Sequence, residues 1–139
     1  MKYFYILFLL LFVAGCSTLE NKSEPAIAVR SYFEAWDIEN YGTMYGVISD
    51  GFKSLEPTAA TFDQFKEYAE SQGIDEVQVI SISETSNDDK EATVEYNVKF
   101  IIKGKEAPFK GTYTLKYKKQ DNTPGWKLIH PYGDNIDTS

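Results

Sequence analysis

The stretch that decides the fold is ATVEYNVKFII, residues 92–102, in which apolar and polar side chains alternate. Alternation at every second residue places the two sets on opposite faces of a β-strand. We therefore predict a long strand with one face buried and the other face in solvent. The side chains expected on its buried face are Ala92, Val94, Tyr96, Val98, Phe100 and Ile102.

The period of two continues on both sides of this strand. Residues 77–85 are rich in Val, Ile, Ser and Thr, residues 109–118 alternate, and residues 126–132 are predicted to form a last short strand. Short turn segments rich in glycine, asparagine and aspartate separate the strands, which predicts antiparallel hairpins. Gly111 falls in the buried register of its strand, where a glycine often marks a bulge or a bend.

Upstream of these strands the spacing of apolar side chains changes to three or four residues. This spacing is typical of amphipathic helices, which we predict over residues 24–40, 41–49 and 61–72. Asp50 and Gly51 are expected to end the second helix. The expected N-cap residues of the three helices are Ser23, Asn40 and Thr61.

Helices that precede a run of hairpins define an α+β architecture, because each helix must bury its apolar stripe against the sheet. We predict three N-terminal helices packed on a curved four-stranded antiparallel sheet, which together form a cone. A cavity is expected at the wide end of this cone. Residues 25–133 are predicted to form the domain, and residues 134–139 a C-terminal tail.

The N-terminus has the pattern of an export signal. Lys2 supplies a positive charge, and residues 3–14 form an uncharged apolar run that is too short to cross a bilayer, which takes ~20 residues. The run ends in VAGC, residues 13–16, which resembles the bacterial lipobox. In proteins with that motif the peptide is cut before the cysteine, whose thiol carries a diacylglycerol. The alternative is an ordinary signal peptide or a membrane-anchor helix with an incidental cysteine.

We accordingly expect residues 1–15 to be a lipoprotein signal peptide and residues 16–24 to be a lipidated tether. The domain is expected on the extracytoplasmic face of a cell-envelope membrane, to which the lipid on Cys16 anchors it. Two or more acyl chains hold a protein on a bilayer stably, whereas a single chain does not. A membrane is therefore the first partner that the sequence predicts.

Composition excludes several classes of function. The formal net charge is −7, so nucleic acids, which are polyanions, are not expected as partners. Cys16 is the one cysteine and His130 the one histidine, so neither an intramolecular disulfide nor a zinc site is expected. No metal and no cofactor are predicted. Four lysines are expected on the outer face of the sheet, either as a solvated face or as a docking patch: Lys99, Lys110, Lys116 and Lys118.

Two segments carry a family resemblance. The stretch VRSYFEAWDIENYGTMYGVISDGF, residues 29–52, is similar to the opening of nuclear-transport-factor-2-like, or cone-fold, domains, and GWKL, residues 125–128, is similar to their final strand. The resemblance is greatest to small lipoproteins of this superfamily and to the non-catalytic cone domain that precedes some penicillin-binding transpeptidase domains. It implies the cone fold, but not one function, because the superfamily contains isomerases, dehydratases and plain binding modules.

Enzymes of this superfamily place a carboxylate, a tyrosine or a histidine inside the cone. In a regular last strand, His130 would share the inward face with the apolar side chains, and Asp37 is a candidate partner for it. Both are therefore candidate catalytic residues. The aromatic side chains that are candidates for lining a pocket in the cone are Tyr32, Trp36, Tyr45, Tyr96, Tyr113 and Trp126.

Two functions follow from these residues. The favoured one is a non-enzymatic module that binds a small apolar ligand or an envelope protein through the mouth of the cone or through the sheet. The alternative is a small enzyme of isomerase or dehydratase type, which uses His130 as a general base on an apolar substrate. A filled cone or an exposed apolar patch would favour the binding module, whereas a deep pocket with convergent polar groups would favour the enzyme.

Overall fold

The computed structural model describes residues 23–133. The predicted signal peptide, the predicted lipidation site Cys16 and the tail 134–139 lie outside the described residues. The described part of the chain contains no helix that is long and apolar enough to cross a bilayer. The elements in chain order are α1 (Glu24–Asp37), α2 (Tyr41–Gly46), α3 (Asp50–Leu55), a 3₁₀ turn (Pro57–Ala59), α4 (Phe62–Ser71), β1 (Glu76–Asn87), β2 (Glu91–Ile102), β3 (Lys105–Lys118) and β4 (Gly125–Leu128).

The order of the elements confirms the predicted α+β class, with helices followed by a four-stranded antiparallel sheet in the order β1-β2-β3-β4. Five of the six side chains predicted on the inner face of β2 are buried, and Ile102 is partly buried against them. Lys103 and Gly104 form the two-residue turn between β2 and β3, with φ angles of 51° and 75°. Both angles lie in the left-handed region that tight hairpin turns require.

Helix α1 packs across the inner face of the sheet. Val29 and Phe33, four residues apart on one side of the helix, are both 0% exposed. The ring centroid of Phe33 lies 5.2 Å from that of Tyr96 and 5.9 Å from that of Tyr113. Burial of each such side chain contributes about 1.5–3 kcal/mol to folding. The core of the domain therefore lies between α1 and the two central strands.

The three predicted N-caps are confirmed. Side-chain oxygens of Ser23, Asn40 and Thr61 each accept a hydrogen bond of 3.2 Å from a backbone N–H in the first turn that follows. Gln64 completes a capping box, because its Oε1 accepts a hydrogen bond of 3.1 Å from the Thr61 N–H. Caps satisfy donors that would otherwise have no partner, so these helices begin where the sequence predicts.

The predicted end of the second helix is wrong. Helix α2 ends at Gly46, and a further helix, α3, begins at Asp50, where the sequence indicated a stop. Ser49 explains this second start, because it is 0% exposed and its hydroxyl accepts a hydrogen bond of 3.1 Å from the Phe52 N–H. Burial of the Phe52 ring then stabilises the short helix.

The expected bulge at Gly111 is also wrong. The register between β2 and β3 is continuous, whereas β1 shifts register against β2 between Val79 and Ser81 and again between Glu84 and Ser86. Such shifts bend a strand and increase its twist. The irregularity that curves the sheet is therefore on the edge strand β1.

Strand β4 is shorter than predicted. It ends at Leu128 rather than at Tyr132. The Ile129 N–H still donates a hydrogen bond of 3.3 Å to the Thr114 carbonyl of β3, but Pro131 has no N–H with which to continue the pairing. On its other edge, β4 pairs through Leu128 with the segment between α2 and α3. The Leu128 N–H donates a hydrogen bond of 2.8 Å to the Val47 carbonyl, and the Leu128 carbonyl accepts one of 3.0 Å from the Ser49 N–H. His130 consequently lies beyond the regular strand.

Gly111 leads to a prediction about stability. It lies opposite Tyr96, and a Cβ atom there would lie 2.5 Å from the Tyr96 Oη and 2.8 Å from its Cζ. The Tyr96 ring cannot move aside, because it packs against Phe33 and Tyr113. We expect Gly111→Ala to lower the free energy of unfolding in urea by about 1–3 kcal/mol.

Gly46→Ala is the matched control. A Cβ atom at Gly46 meets no atom within 4 Å, and the φ angle of Gly46 is not in the left-handed region. We expect this variant to be as stable as the parent protein or up to about 1 kcal/mol more stable, because alanine lowers the entropy of the unfolded chain. Equal effects of the two substitutions would contradict the proposed close contact between Gly111 and Tyr96.

Candidate functional site

Three of the predicted pocket residues form part of the core. Tyr32 and Tyr113 are 1% and 4% exposed, and Tyr96 is also buried. The ring of Tyr113 lies 4.4 Å from that of Tyr96 and 6.2 Å from that of Tyr32. Burial raises the pKa of the Tyr32 and Tyr113 hydroxyls, so both stay neutral, and the Tyr113 hydroxyl donates a hydrogen bond of 3.1 Å to the Pro131 carbonyl. These rings fill the space between α1 and the sheet.

The other three predicted pocket residues lie apart from one another. Trp36 packs near the end of α1, with its ring 5.4 Å from that of Phe100. Trp126 makes an edge-to-face contact with Tyr117 at the outer edge of the sheet, at 5.6 Å. Tyr45 lines a separate cleft beside α2 and α3. Three of the six predicted pocket residues therefore lie in the core, and the other three lie at three separate places.

The two candidate catalytic residues belong to opposite edges of the sheet. Asp37 is exposed, and its Oδ1 accepts a hydrogen bond of 2.8 Å from the Val77 N–H, which ties the end of α1 to the start of β1. His130 follows β4, the other edge strand. Its Nδ1 is buried and has no hydrogen-bond partner. Asp37 and His130 are not brought together by the sheet order.

A cleft of about 510 Å³ lies beside α2 and α3, and we name it the lysine cleft. It is formed by α2, by α3, by Ala60 directly after the 3₁₀ turn, by the connection between β3 and β4, and by Lys127 of β4. Its lining residues are Gly42, Tyr45, Gly46, Asp50, Lys53, Ser54, Ala60, Asn122, Thr123 and Lys127.

Tyr45 and Lys53 form one wall of the lysine cleft. The Tyr45 hydroxyl donates a hydrogen bond of 2.8 Å to the Ala59 carbonyl, which fixes the ring. The Lys53 Nζ lies 4.0 Å from the centroid of that ring and 3.6 Å from the Asp50 Oδ1. A cation over the face of an aromatic ring is attracted by the ring quadrupole. Lys53 is thus held by a ring and a carboxylate.

Two hydrogen bonds between backbone N–H groups and aspartate side chains form the opposite wall of the lysine cleft. The Asp50 N–H donates a hydrogen bond of 3.0 Å to the Asp121 Oδ2, and the Asn122 N–H donates one of 2.8 Å to the Asp50 Oδ2. These pairs join residues that are 71 and 72 positions apart in the sequence. They hold the connection between β3 and β4 against the first turn of α3, and so they fix the width of the cleft.

Lys127 is the least expected member of the cleft. It is 4% exposed, and its Nζ donates a hydrogen bond to the Gly46 carbonyl. Burial lowers the pKa of Lys127, the charge of Lys53 lowers it further, and Asp121 and Asp50 act in the opposite direction. Burial likewise lowers the pKa of Lys53, against the effect of Asp50.

The lysine cleft can bind a ligand group that accepts hydrogen bonds. An ammonium has three N–H donors, and Lys127 uses one of them on Gly46. A carboxylate or phosphate that entered the cleft could take the others and offset the cost of the buried charge. The part of the chain between residues 23 and 133 shows no group of three His, Cys, Asp or Glu side chains that could hold a metal ion.

Sequence reasoning found Tyr45 but missed the charged residues of the cleft. Lys127 lies between Trp126 and Leu128, so the period of two assigns it to the solvent face of β4. The end of α2 lies against the Lys127 side chain, whose Nζ donates a hydrogen bond to the Gly46 carbonyl, and periodicity carries no information about such a contact. The one available signal was a lysine inside the otherwise apolar run from Trp126 to Ile129.

Comparisons with known proteins found similar solved structures. The chain is similar to a SEC-C motif containing protein from Psychrobacter arcticus, with a TM-score of 0.53 and 12% identity over 81% of this chain. It spans 60% of the length of that protein. A proposed dehydratase of the NTF2-like family from Streptomyces avermitilis has a TM-score of 0.49 and 13% identity, over 76% of this chain and 88% of its own. No curated protein matches the chain.

The fold, with its helices and its curved antiparallel sheet, defines an NTF2-like domain. A family model described as NTF2-like N-terminal transpeptidase domain matches residues 24–131. Since the match covers most of the chain, the chain belongs to that family. The family match confirms the predicted superfamily, and the matched range agrees with the described helices and strands.

The lowered pKa of Lys127 predicts how the free energy of unfolding depends on pH. Its native pKa lies below the ordinary value of 10.5, so the native state releases this proton before the unfolded state does. The free energy of unfolding therefore rises with pH between the native pKa and 10.5, by at most about 1.4 kcal/mol per pH unit. We expect Lys127→Met to lose this rise.

The measurement is urea unfolding of both proteins at a series of pH values. Buried tyrosines such as Tyr32 and Tyr113 lower stability at high pH in both proteins, so the difference between parent and variant isolates the lysine. That difference should grow in favour of the parent as pH rises through the native pKa. A constant or shrinking difference would show that Lys127 is not a buried cation.

Proposed function

We propose that this chain is a lipid-anchored extracytoplasmic protein whose NTF2-like domain is a non-enzymatic binding module. The observation that carries the proposal is the filling of the cone by Tyr32, Phe33 and Tyr113, each 4% exposed or less and in mutual ring contact. An NTF2-like enzyme needs that interior for its substrate. A filled interior supports recognition at the outer surface of the domain.

The lysine cleft is the proposed binding site. Its volume of about 510 Å³ is within the range of small-ligand pockets, ~300–1,000 Å³. Lys53 and Lys127 supply donors for a carboxylate or phosphate group, while the Tyr45 ring supplies an aromatic wall. The expected ligand is therefore a small molecule or a peptide end that carries an acidic group, whereas the sequence predicted a small apolar ligand or an envelope protein.

An isomerase or dehydratase that uses His130 is the second candidate. One observation favours it, because the His130 Nδ1 is buried and has no hydrogen-bond partner among the described residues. The residues around His130 give the enzyme less support. Tyr113, which would have to line the substrate pocket, is in ring contact with Tyr32 and Tyr96, and its hydroxyl is bonded to Pro131.

The lipid anchor is tested by metabolic labelling with palmitate. We expect the full chain to take up label and to fractionate with membranes, because the residues at 13–16 match the lipobox. Cys16→Ser should abolish both, since only the thiol can form the thioether. An unlabelled parent protein would contradict the anchor.

The binding site is tested by photo-crosslinking in intact cells. Benzoylphenylalanine at Ser54 or Thr123, both exposed at the rim of the lysine cleft, should give a discrete adduct detectable by mass spectrometry. The same residue at Gln78, exposed on β1, should give none. Lys127→Met should reduce the adduct by about tenfold, which corresponds to the loss of a charged hydrogen bond.

Two control substitutions test whether the adduct forms through the lysine cleft. Lys105→Met removes the charge of an exposed lysine at the start of β3 and should leave the adduct unchanged. His130→Gln should also leave it unchanged, because His130 does not line the cleft. An adduct that depends on His130 but not on Lys127 would favour the enzyme.

A further inference from the structure

A second concave surface lies where the chain enters the domain. Between the first turns of α1 and the end of the sheet is a groove of about 370 Å³, which we name the entry groove. Ile27 is 53% exposed and Tyr117 is 40% exposed, although both are large apolar side chains. Trp126 is partly buried against Tyr117, and Val47 closes the groove.

The position of the groove limits what can cover it. Glu24, one of its lining residues, is the first residue of α1. Only seven peptide steps separate Cys16 from Ser23, and a fully extended chain of that length spans at most ~25 Å. The proposed lipid on Cys16 therefore keeps this end of the domain near the bilayer surface.

The chemistry of the groove fits that surface. Tryptophan and tyrosine are the side chains that concentrate at the boundary between lipid headgroups and acyl chains, because each combines an apolar body with a polar atom. Lys119 follows the last residue of β3 and would be attracted to anionic headgroups, whereas Lys116 and Lys118 point to the face of β3 opposite Tyr117.

We propose that the entry groove docks the domain on the surface of the bilayer that holds its own lipid anchor, with Ile27, Tyr117 and Trp126 in the interface. The inference rests on the proposed lipidation of Cys16. Adjacent residues of a strand point to opposite faces, so Trp126 and Lys127 lie on opposite sides of β4. Docking through Trp126 then leaves the lysine cleft on the side of β4 away from the membrane.

The test uses quenching of Trp126 fluorescence by brominated lipid. The lipidated full chain with Trp36→Phe, in which Trp126 is the remaining tryptophan, is reconstituted into vesicles of phosphatidylethanolamine, phosphatidylglycerol and a dibrominated phosphatidylcholine. We expect about a twofold loss of emission relative to unbrominated vesicles, since interfacial side chains reach ~5–10 Å into the headgroup and acyl boundary. The converse variant Trp126→Phe, which reports on Trp36, should show little loss.

Matched substitutions assign the quenching to the groove. Ile27→Glu places a carboxylate in the first turn of α1, which a helix tolerates, and should abolish the quenching. Ile80→Glu changes a residue of similar exposure, 57%, on β1 and should preserve it. Circular dichroism confirms that each variant is folded.

Flotation of the vesicles distinguishes the two proposals. Protein that floats with the vesicles while Trp126 stays unquenched would overturn the docking and leave the anchor intact. Protein that does not float would overturn both. A blue shift of Trp126 emission with protein concentration, without vesicles, would assign the groove to a second copy of the chain and would also overturn membrane docking.

Discussion

The structure depends on one packing contact, in which Phe33 of α1 lies against Tyr96 and Tyr113 of the sheet. The curve of the sheet would otherwise leave a hollow at this place. Tyr96 occupies it only because Gly111, directly opposite, has no side chain. Because the interior is filled in this way, the domain gains stability there, and our proposal accordingly places recognition at its outer surface.

Because the interior is filled, both functional surfaces that we propose lie on the outside of the domain, on either side of β4. This strand of four residues is held on one side by β3 and on the other by the segment between α2 and α3. Its two middle residues face different surfaces, Trp126 towards the entry groove and Lys127 towards the lysine cleft. In our proposal the same strand therefore positions both the membrane contact and the binding site.

Periodicity predicted the fold well and the site poorly, for physical reasons. Alternation along β2 and capping at Ser23, Asn40 and Thr61 are local properties, so they could be read from the sequence. The burial of Lys127 depends on a contact with the Gly46 carbonyl at the end of α2, and the cleft depends on a contact between Asp50 and Asp121 across the fold. Such long-range contacts leave no periodic trace in a single sequence.

The central claim is that aromatic rings fill the cone, and the most direct measurement of it is a crystal structure of the domain under xenon pressure. Xenon enters apolar cavities that are large enough to hold it. We expect no xenon among Tyr32, Phe33 and Tyr113. A xenon atom bound between α1 and the sheet would contradict the filled cone and make the interior a candidate ligand site.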